Sequence, residues 1–151
     1  MDKTLIVYYS NSGTAEKIAQ HIKKLLPEAD MDRIGYKGKM DKRYGMVPAL
    51  FKMFSVPKKI EGDEHDPSEY KKLILVFPIW AGMPAPVMRA YFQKHTRAVR
   101  EKKYNMVCVS GGGEDKIEEW LEGRAVKLPA VKLSLKQKNI ETDDYNLTGI
   151  I

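Results

Sequence analysis

The sequence predicts an α/β fold of the doubly wound kind, in which a parallel sheet of five strands is covered by helices on both faces. Three observations predict it. Thr4–Tyr9, Leu73–Phe77 and Tyr104–Val109 are short, unbroken apolar runs, the pattern of strands buried on both faces. Segments of helical periodicity separate the runs, so strand and helix alternate along the chain. Each run also ends in a loop rich in Ser, Gly or Pro, at the strand ends where such sheets take up ligands.

Taken in order, the first run leads into Ser10-Asn11-Ser12-Gly13-Thr14-Ala15-Glu16 and then a helix. Ile18, Ala19, Ile22, Leu25 and Leu26 recur at helical spacing, Glu16 suits the dipole of the first turn, and Pro27 stops the run. Ala29–Ile34 predicts a second strand, which Asp30, Asp32 and Arg33 place at an exposed edge. From 36 to 59 the composition changes, with Lys37, Lys39, Lys42, Arg43, Lys52, Lys58 and Lys59 interleaved with aromatic and Met residues. Val47, Leu50, Phe51 and Phe54 predict a short amphipathic helix there, with Pro48 tolerated in its first turn. Two roles stand for this segment: the crossover that parallel strands two and three require, or a lid or partner surface that meets anions, membranes or nucleic acid.

The acidic turn Glu61–Asp66, with His65 inside it, reads as solvated, because no Cys and no second His stands nearby at metal-ligand spacing. Leu73–Phe77 gives the third strand. It is followed by Pro78-Ile79-Trp80-Ala81-Gly82-Met83-Pro84-Ala85-Pro86 and a helix with Val87, Met88, Tyr91 and Phe92 on one face. Tyr104–Val109 gives the fourth strand, then the loop Ser110-Gly111-Gly112-Gly113-Glu114 and a helix carrying Ile117, Trp120 and Leu121 that ends near Gly123. Val131, Leu133 and Leu135 alternate with Lys132, Ser134 and Lys136, a strand with one buried and one solvated face at the other edge. The remaining 137–151 tail is too short and polar for a full-length helix. His21 and His95 fall on predicted helices and are read as surface residues.

The first loop joins a central strand to a helix N-terminus, where backbone N–H groups lack intrahelical partners and the dipole favours an anion. Ser10, Ser12 and Thr14 add hydroxyls, and Gly13 lets the backbone come close. The Lys of a GxxxxGK[ST] loop is missing, so these groups suit a terminal phosphate that is not transferred, as in flavin mononucleotide (FMN). On its own the loop also reads as a simple polar connection, and the other two loops have to decide. Trp80 lies between prolines beyond a central strand and is placed to cover a flat ring, with ordinary loop packing as the alternative. The glycines at 111–113 permit close backbone approach but do not form GxGxxG, so a dinucleotide fingerprint is not supported.

The 151 residues suit one domain, 1–151, burying about two-thirds of the unfolded surface. No repeat, low-complexity stretch or linker divides them. No apolar run reaches membrane-spanning length, and Met1-Asp2-Lys3 runs straight into the first strand without a signal-peptide pattern, so a cytoplasmic protein is expected. Cys108 sits alone in an apolar run and reads as a buried small hydrophobe. A net charge of +6, from 26 Lys and Arg against 20 Asp and Glu, points to acidic partners or anionic surfaces, and speaks to association rather than chemistry.

Together these residues resemble the flavodoxin family. Ser10-Asn11-Ser12-Gly13-Thr14-Ala15 looks like its phosphate loop, Pro78 to Pro86 is similar to the loop that lines the isoalloxazine ring, and Ser110 to Gly113 corresponds to the loop at the other edge of the ring. The likeness covers nearly the whole chain in element order. It implies a flavodoxin-like sheet of order 2-1-3-4-5 and FMN as cofactor. Ser10, Asn11, Ser12, Gly13, Thr14 and Ala15 would hold the phosphate. Pro78, Ile79, Trp80, Ala81 and Gly82 would line the ring with Trp80 over it, and Ser110, Gly111, Gly112 and Gly113 would approach its pyrimidine side. The Ala81-Gly82 peptide would respond to the redox state of the flavin. No protein nucleophile, general acid or base, or metal is expected.

The function implied is electron transfer through bound flavin, with a redox partner protein or a small acceptor such as a quinone, and no nucleic acid. An NAD(P)H-dependent FMN or quinone reductase is the alternative within the same chemistry. The chain departs from the family in three ways: Ala15 stands where a further Thr is usual, the charge is basic, and the closing fifth helix is short or absent. Leu75 or Val107 and their neighbours then need cover. Either Tyr145, Leu147, Ile150 and Ile151 fold back over them or a second subunit, as in a homodimer, covers them. A phosphorylated receiver domain would need an acidic pocket that the strand ends Tyr9-Ser10 and Phe77-Pro78 do not supply. A non-redox binding module using 36–59 is the remaining class.

Overall fold

The five main strands align parallel, and the chain's alternation of apolar residues divides them between two cores. The computed structural model describes residues 3–36, 57 and 59–151. Along it run β1 (Thr4–Tyr8), α1 (Thr14–Leu25), β2 (Asp30–Arg33), β3 (Gly35–Tyr36), β4 (Ile60–Glu61), β5 (Lys72–Trp80) and β6 (Met83–Pro84). There follow α2 (Pro86–Lys94), α3 (Thr96–Glu101), β7 (Lys103–Ser110), α4 (Ile117–Glu122), β8 (Val131–Lys136) and α5 (Gln137–Glu141). The sheet order is β2-β1-β5-β7-β8, with β6 added antiparallel to the end of β5. Counting only the long strands, this is the order 2-1-3-4-5 that the resemblance implied, with two polar edges.

Successive side chains on a strand point to opposite faces. Leu5, Val7, Leu73, Leu75, Phe77, Tyr104, Met106 and Cys108 therefore face α2, α3 and α4, and pack with Met88, Tyr91, Phe92, Val99, Ile117 and Leu121. Ile6, Ile74, Val76, Val107 and Val109 face the other way, against Ile18, Ala19 and Ile22 of α1. Registers such as Leu5 with Leu73 and Leu75 with Met106 keep like faces together. Each such fully buried aliphatic side chain contributes on the order of 1.5–3 kcal/mol. Cys108 is fully buried as expected, and burial pushes its thiol far above the ordinary range, so it stays protonated.

The fifth helix is short, and the tail covers the second face from within the same chain. Leu147 and Ile150 are buried against Val107, Val109 and Ile140, with Tyr145 packed beside them, whereas Ile151 stays 46% exposed and takes no part. Val107 is on this face. Leu75, the alternative named with it, is on the opposite face among the α2 residues. Polar contacts tie the tail to α1 and β7: Lys17 Nζ donates to the Ile140 carbonyl at 2.8 Å and pairs with Asp143 at 2.7 Å, and Asn105 Nδ2 donates to the Ile150 carbonyl at 2.8 Å. His21 is at the surface, but its Nδ1 lies 2.9 Å from the Tyr145 hydroxyl and so forms part of this seam.

Two other expectations need correction. The Glu61–Asp66 turn is not simply solvated. Buried Asp32 accepts the His65 N–H at 3.0 Å and lies 2.6 Å from its Nδ1, while Asp63 accepts from Lys94 at 2.6 Å and meets His95 Nε2 at 3.1 Å. His95, expected at the surface, is accordingly only 16% exposed at the junction of α2 and α3. The polar face of β8 stays open, with Ser134 and Lys136 exposed; only Lys132 is half-buried, pairing with Asp115 at 2.8 Å, and the Ser134 hydroxyl donates to the same carboxylate at 3.1 Å. These acids sit far away in sequence, so periodicity alone could not find them. The helix expected around Val47–Phe54 lies outside the described residues. Its segment is bracketed by the antiparallel pairs Gly35 with Glu61 and Tyr36 with Ile60, which bring its two roots side by side.

The Asp32 hydrogen bond raises the His65 pKa despite some desolvation. A folded value above the unfolded one stabilises fully below the ordinary histidine range and loses that contribution as pH rises through the raised value. The melting-temperature gap between wild type and His65→Gln should therefore be widest near about pH 5.5 and shrink as pH rises through and above about 6.5. Thermal melts across this range check it, and a gap that grows with pH contradicts the pairing.

Candidate functional site

Three loops leave the C-terminal ends of β1, β5 and β7 and meet in one cleft. At the first, Gly13 caps α1 in the left-handed region, at φ 95°, and its carbonyl accepts the Lys17 N–H at 3.0 Å. Its own N–H donates to Ser10 Oγ at 3.1 Å, which shapes the turn. No side chain caps the helix, so the first-turn N–H groups, which have no intrahelical acceptor, are left to an outside partner. The Ser12 and Thr14 hydroxyls lie 3.2 Å apart beside them, and nothing lies within 4 Å of where a Gly13 Cβ would stand. Ala15 also lines the cleft, although its methyl is buried in the α1 core, so what it offers is its backbone N–H.

The second stretch, expected as an irregular loop, is a β-hairpin. β5 runs on through Pro78 and Ile79 to Trp80, turns at Ala81 and Gly82, and pairs back as Ile79 with Pro84 and Trp80 with Met83. Both turn residues have positive φ, 52° and 79°, the type I′ geometry whose twist suits a two-residue hairpin. The prolines hid it, because Pro reads as a strand breaker, and Pro84 is tolerated only because β6 is an edge. A buried arginine, Arg89, holds the return strand by donating from Nε to the Pro84 carbonyl at 3.0 Å. Half-buried Trp80 rests edge-on against Tyr9, with centroids 6.2 Å apart, and Tyr9 rests in the same way on Tyr36. Tyr9 thus braces the aromatic wall, a role that its place in an apolar run concealed.

The third loop carries Gly111, Gly112 and Gly113, each with open space where a Cβ would stand. It is tied to the hairpin through Lys116, whose N–H donates to the Gly82 carbonyl at 2.9 Å. Ser10, Asn11, Ser12, Thr14, Ala15, Pro78, Ile79, Trp80, Ser110 and Gly111 line one compartment, joined by Val109 and Gln137, which the sequence reading did not single out. Ile79, Ser110 and Gly111 continue into a second compartment with Ala81, Gly82, Gly113 and Glu114. Gly13 and Gly112 shape their loops rather than line the space. Gln137 begins α5, and nothing in the local sequence pattern marks it as near Ser10.

Among the described residues, no Lys or Arg lines either compartment. Near the first loop, Lys17 pairs with Asp143 and Arg33 with Glu16 at 3.2 Å. An anion bound here would depend on N–H groups, hydroxyls and the helix dipole. Beyond the cleft, burial alone would raise Asp115, but Lys132, the Ile117 N–H and Ser134 outweigh it and hold the carboxyl below its usual range. No group of three or more His, Cys, Asp or Glu among the described residues could hold a metal, and no helix there is long and apolar enough to cross a membrane.

No family model and no curated protein matches the chain. Solved structures do. A flavoprotein from Lactobacillus acidophilus NCFM, in complex with FMN, aligns with a TM-score of 0.69 at 21% identity over 94% of this chain and 98% of its own. The two-electron reduced flavodoxin of Megasphaera elsdenii aligns at 0.58 and 13% identity over 87% and 85%. An azoreductase from Bacillus anthracis str. Sterne aligns at 0.55 and 14% identity over 95% and 90%. With the observed strand order, these likenesses show that the chain has a flavodoxin-like fold with a short fifth helix.

Proposed function

We propose that this protein binds FMN in the strand-end cleft and works as a flavodoxin-like redox protein, passing electrons between a redox partner protein and its flavin, or to a small acceptor such as a quinone. The observation that carries the reading is the meeting of three loops in one cleft, with an uncapped helix N-terminus at one part and a braced tryptophan at another. The residues fit the cofactor. Open space beside Gly13 and the glycines at 111–113 leaves room for close approach, and the flavoprotein of L. acidophilus, with FMN bound, shares the fold.

In this reading the N–H groups at 14–16 and the Ser12 and Thr14 hydroxyls hold the phosphate, and the helix dipole favours its charge. The lack of a lining cation suits a phosphate that anchors and does not react. Trp80 covers the ring and excludes water, and Tyr9 fixes the Trp80 plane. The main chain of Gly111 and Gly113, with Gly112 shaping the loop between them, would approach the pyrimidine edge. Bound flavin supplies the electron chemistry, while the protein orients it and sets its surroundings.

Fluorescence titration tests the reading. FMN should bind at one equivalent, and riboflavin, which lacks the phosphate, about 100-fold more weakly, as expected for losing several charge-assisted hydrogen bonds. Gly13→Val should bring FMN down to the riboflavin level with unchanged far-UV circular dichroism, because a β-branched residue resists a φ of 95°. Equal affinity for both flavins would sink the phosphate assignment. FMN-loaded protein should oxidise NADPH only slowly without a partner protein, and fast oxidation would instead assign a reductase.

A further inference from the structure

A second cleft, of about 250 Å³, lies among Phe92, Thr96 and Arg100 of the α2–α3 region and Trp120, Arg124 and Val126 at and after α4. None of these residues lines the strand-end cleft. Its floor is apolar and well buried, with the Phe92 and Trp120 rings 5.5 Å apart. Its rim carries two guanidinium groups. Arg124 stacks on the Trp120 ring with Cζ 4.3 Å from the centroid, and its Nη1 reaches the Trp120 carbonyl only at 3.5 Å. Arg100 Nη2 lies as far from the Arg124 carbonyl, also 3.5 Å. Neither arginine pairs with a carboxylate among the described residues.

Trp120 Nε1 is buried without an acceptor, so its N–H reports on the packing beneath the rim. The two exposed arginines meet only backbone carbonyls, at long hydrogen-bond distances, so most of their donors face solvent. A planar guanidinium matches a carboxylate through paired hydrogen bonds. An apolar floor under such a rim gains from a ligand with an apolar body, and the space is below the range of drug-sized ligand pockets.

We propose that this cleft binds a small aromatic carboxylate of the benzoate class, with its carboxylate between Arg100 and Arg124 and its ring over Phe92, Trp120 and Val126. The proposal does not rest on the flavin reading. The arginines supply orientation and charge, and the aromatic floor distinguishes the ligand from inorganic anions.

The test uses the whole ¹⁵N-labelled protein and its Trp80 and Trp120 indole N–H signals, assigned with Trp80→Phe. Sodium benzoate, titrated at constant ionic strength, should move the Trp120 signal saturably. Benzyl alcohol and inorganic phosphate, which lack the charge or the ring, should not. Arg124→Gln and Arg100→Gln should each weaken benzoate about 10-fold, the value of a charge-assisted hydrogen bond, while other amide signals stay in place. Absence of a saturable shift below about 10 mM benzoate, or unchanged affinity in both variants, overturns the proposal. An equal response to phosphate overturns it as well, since the cleft would then read charge alone.

Discussion

Removing residues 144–151 is expected to leave the protein unable to hold its native packing. The tail places Leu147 and Ile150 on the β7 face and supplies the carbonyl that pairs with the buried Asn105 amide. Losing each side chain costs about 2–5 kcal/mol, and stranding the Asn105 donor costs about 1–3 more. That sum approaches the whole stability of a typical domain, about 5–15 kcal/mol. The truncated chain should bind a hydrophobic dye and melt without a cooperative transition. Ile150→Ala isolates one part of the effect and should lower stability by about 3 kcal/mol, or roughly 6–12 °C in Tm for a chain of this size. A cooperative melt within a degree or two of wild type in the truncated chain would mean that the tail is not part of the core.

Gly62→Ala is expected to be the most damaging single substitution away from the core. Gly62 sits at φ +88°, and an added Cβ would lie 1.8 Å from the Arg33 carbonyl oxygen and 3.3 Å from Ile34 Cα. Those atoms are backbone at the end of edge strand β2, so no side-chain rotation relieves the clash. The segment would have to lift from β2, loosening the adjacent Asp63 and His65 pairings on either side of the turn. A loss of at least about 3 kcal/mol follows from combining strain with broken contacts. Gly35→Ala is the control, because Gly35 has no positive φ and open space at its Cβ, and it should change stability by no more than about 1 kcal/mol. Chemical denaturation of both variants checks the contrast, and equal effects would contradict the close approach.

The sheet was legible because β1, β5 and β7 are apolar on both faces, and because β8 alternates Val131, Leu133 and Leu135 with polar residues. Its order came from the resemblance, not from periodicity. The helix around Ile18 and Ile22 was equally clear, since its apolar positions recur every three or four residues. What stayed hidden depends on residues distant in sequence. The pairings of His65 with Asp32 and of Lys132 with Asp115 join segments that share no local pattern. The hairpin at Ala81-Gly82 lacks the Asn-Gly or Asp-Gly signal and is crowded by prolines, so a strand looked like a loop. Arg89 interrupts an apolar helix face as a charge would on the surface, yet it is buried and holds Pro84. In the cleft, the loops were found from their residue types, whereas Gln137 and Tyr9 contribute only through the way the chain returns to them.

The most direct test of the account is a ¹⁵N–¹H amide map recorded while FMN is added to the assigned protein. The account predicts that amides at 11–15, 79–82 and 110–113 shift together, saturate at one equivalent and share one dissociation constant. If FMN at about 50 µM leaves all three loops unmoved, or moves only one of them, the cleft is not a flavin site and the functional reading fails.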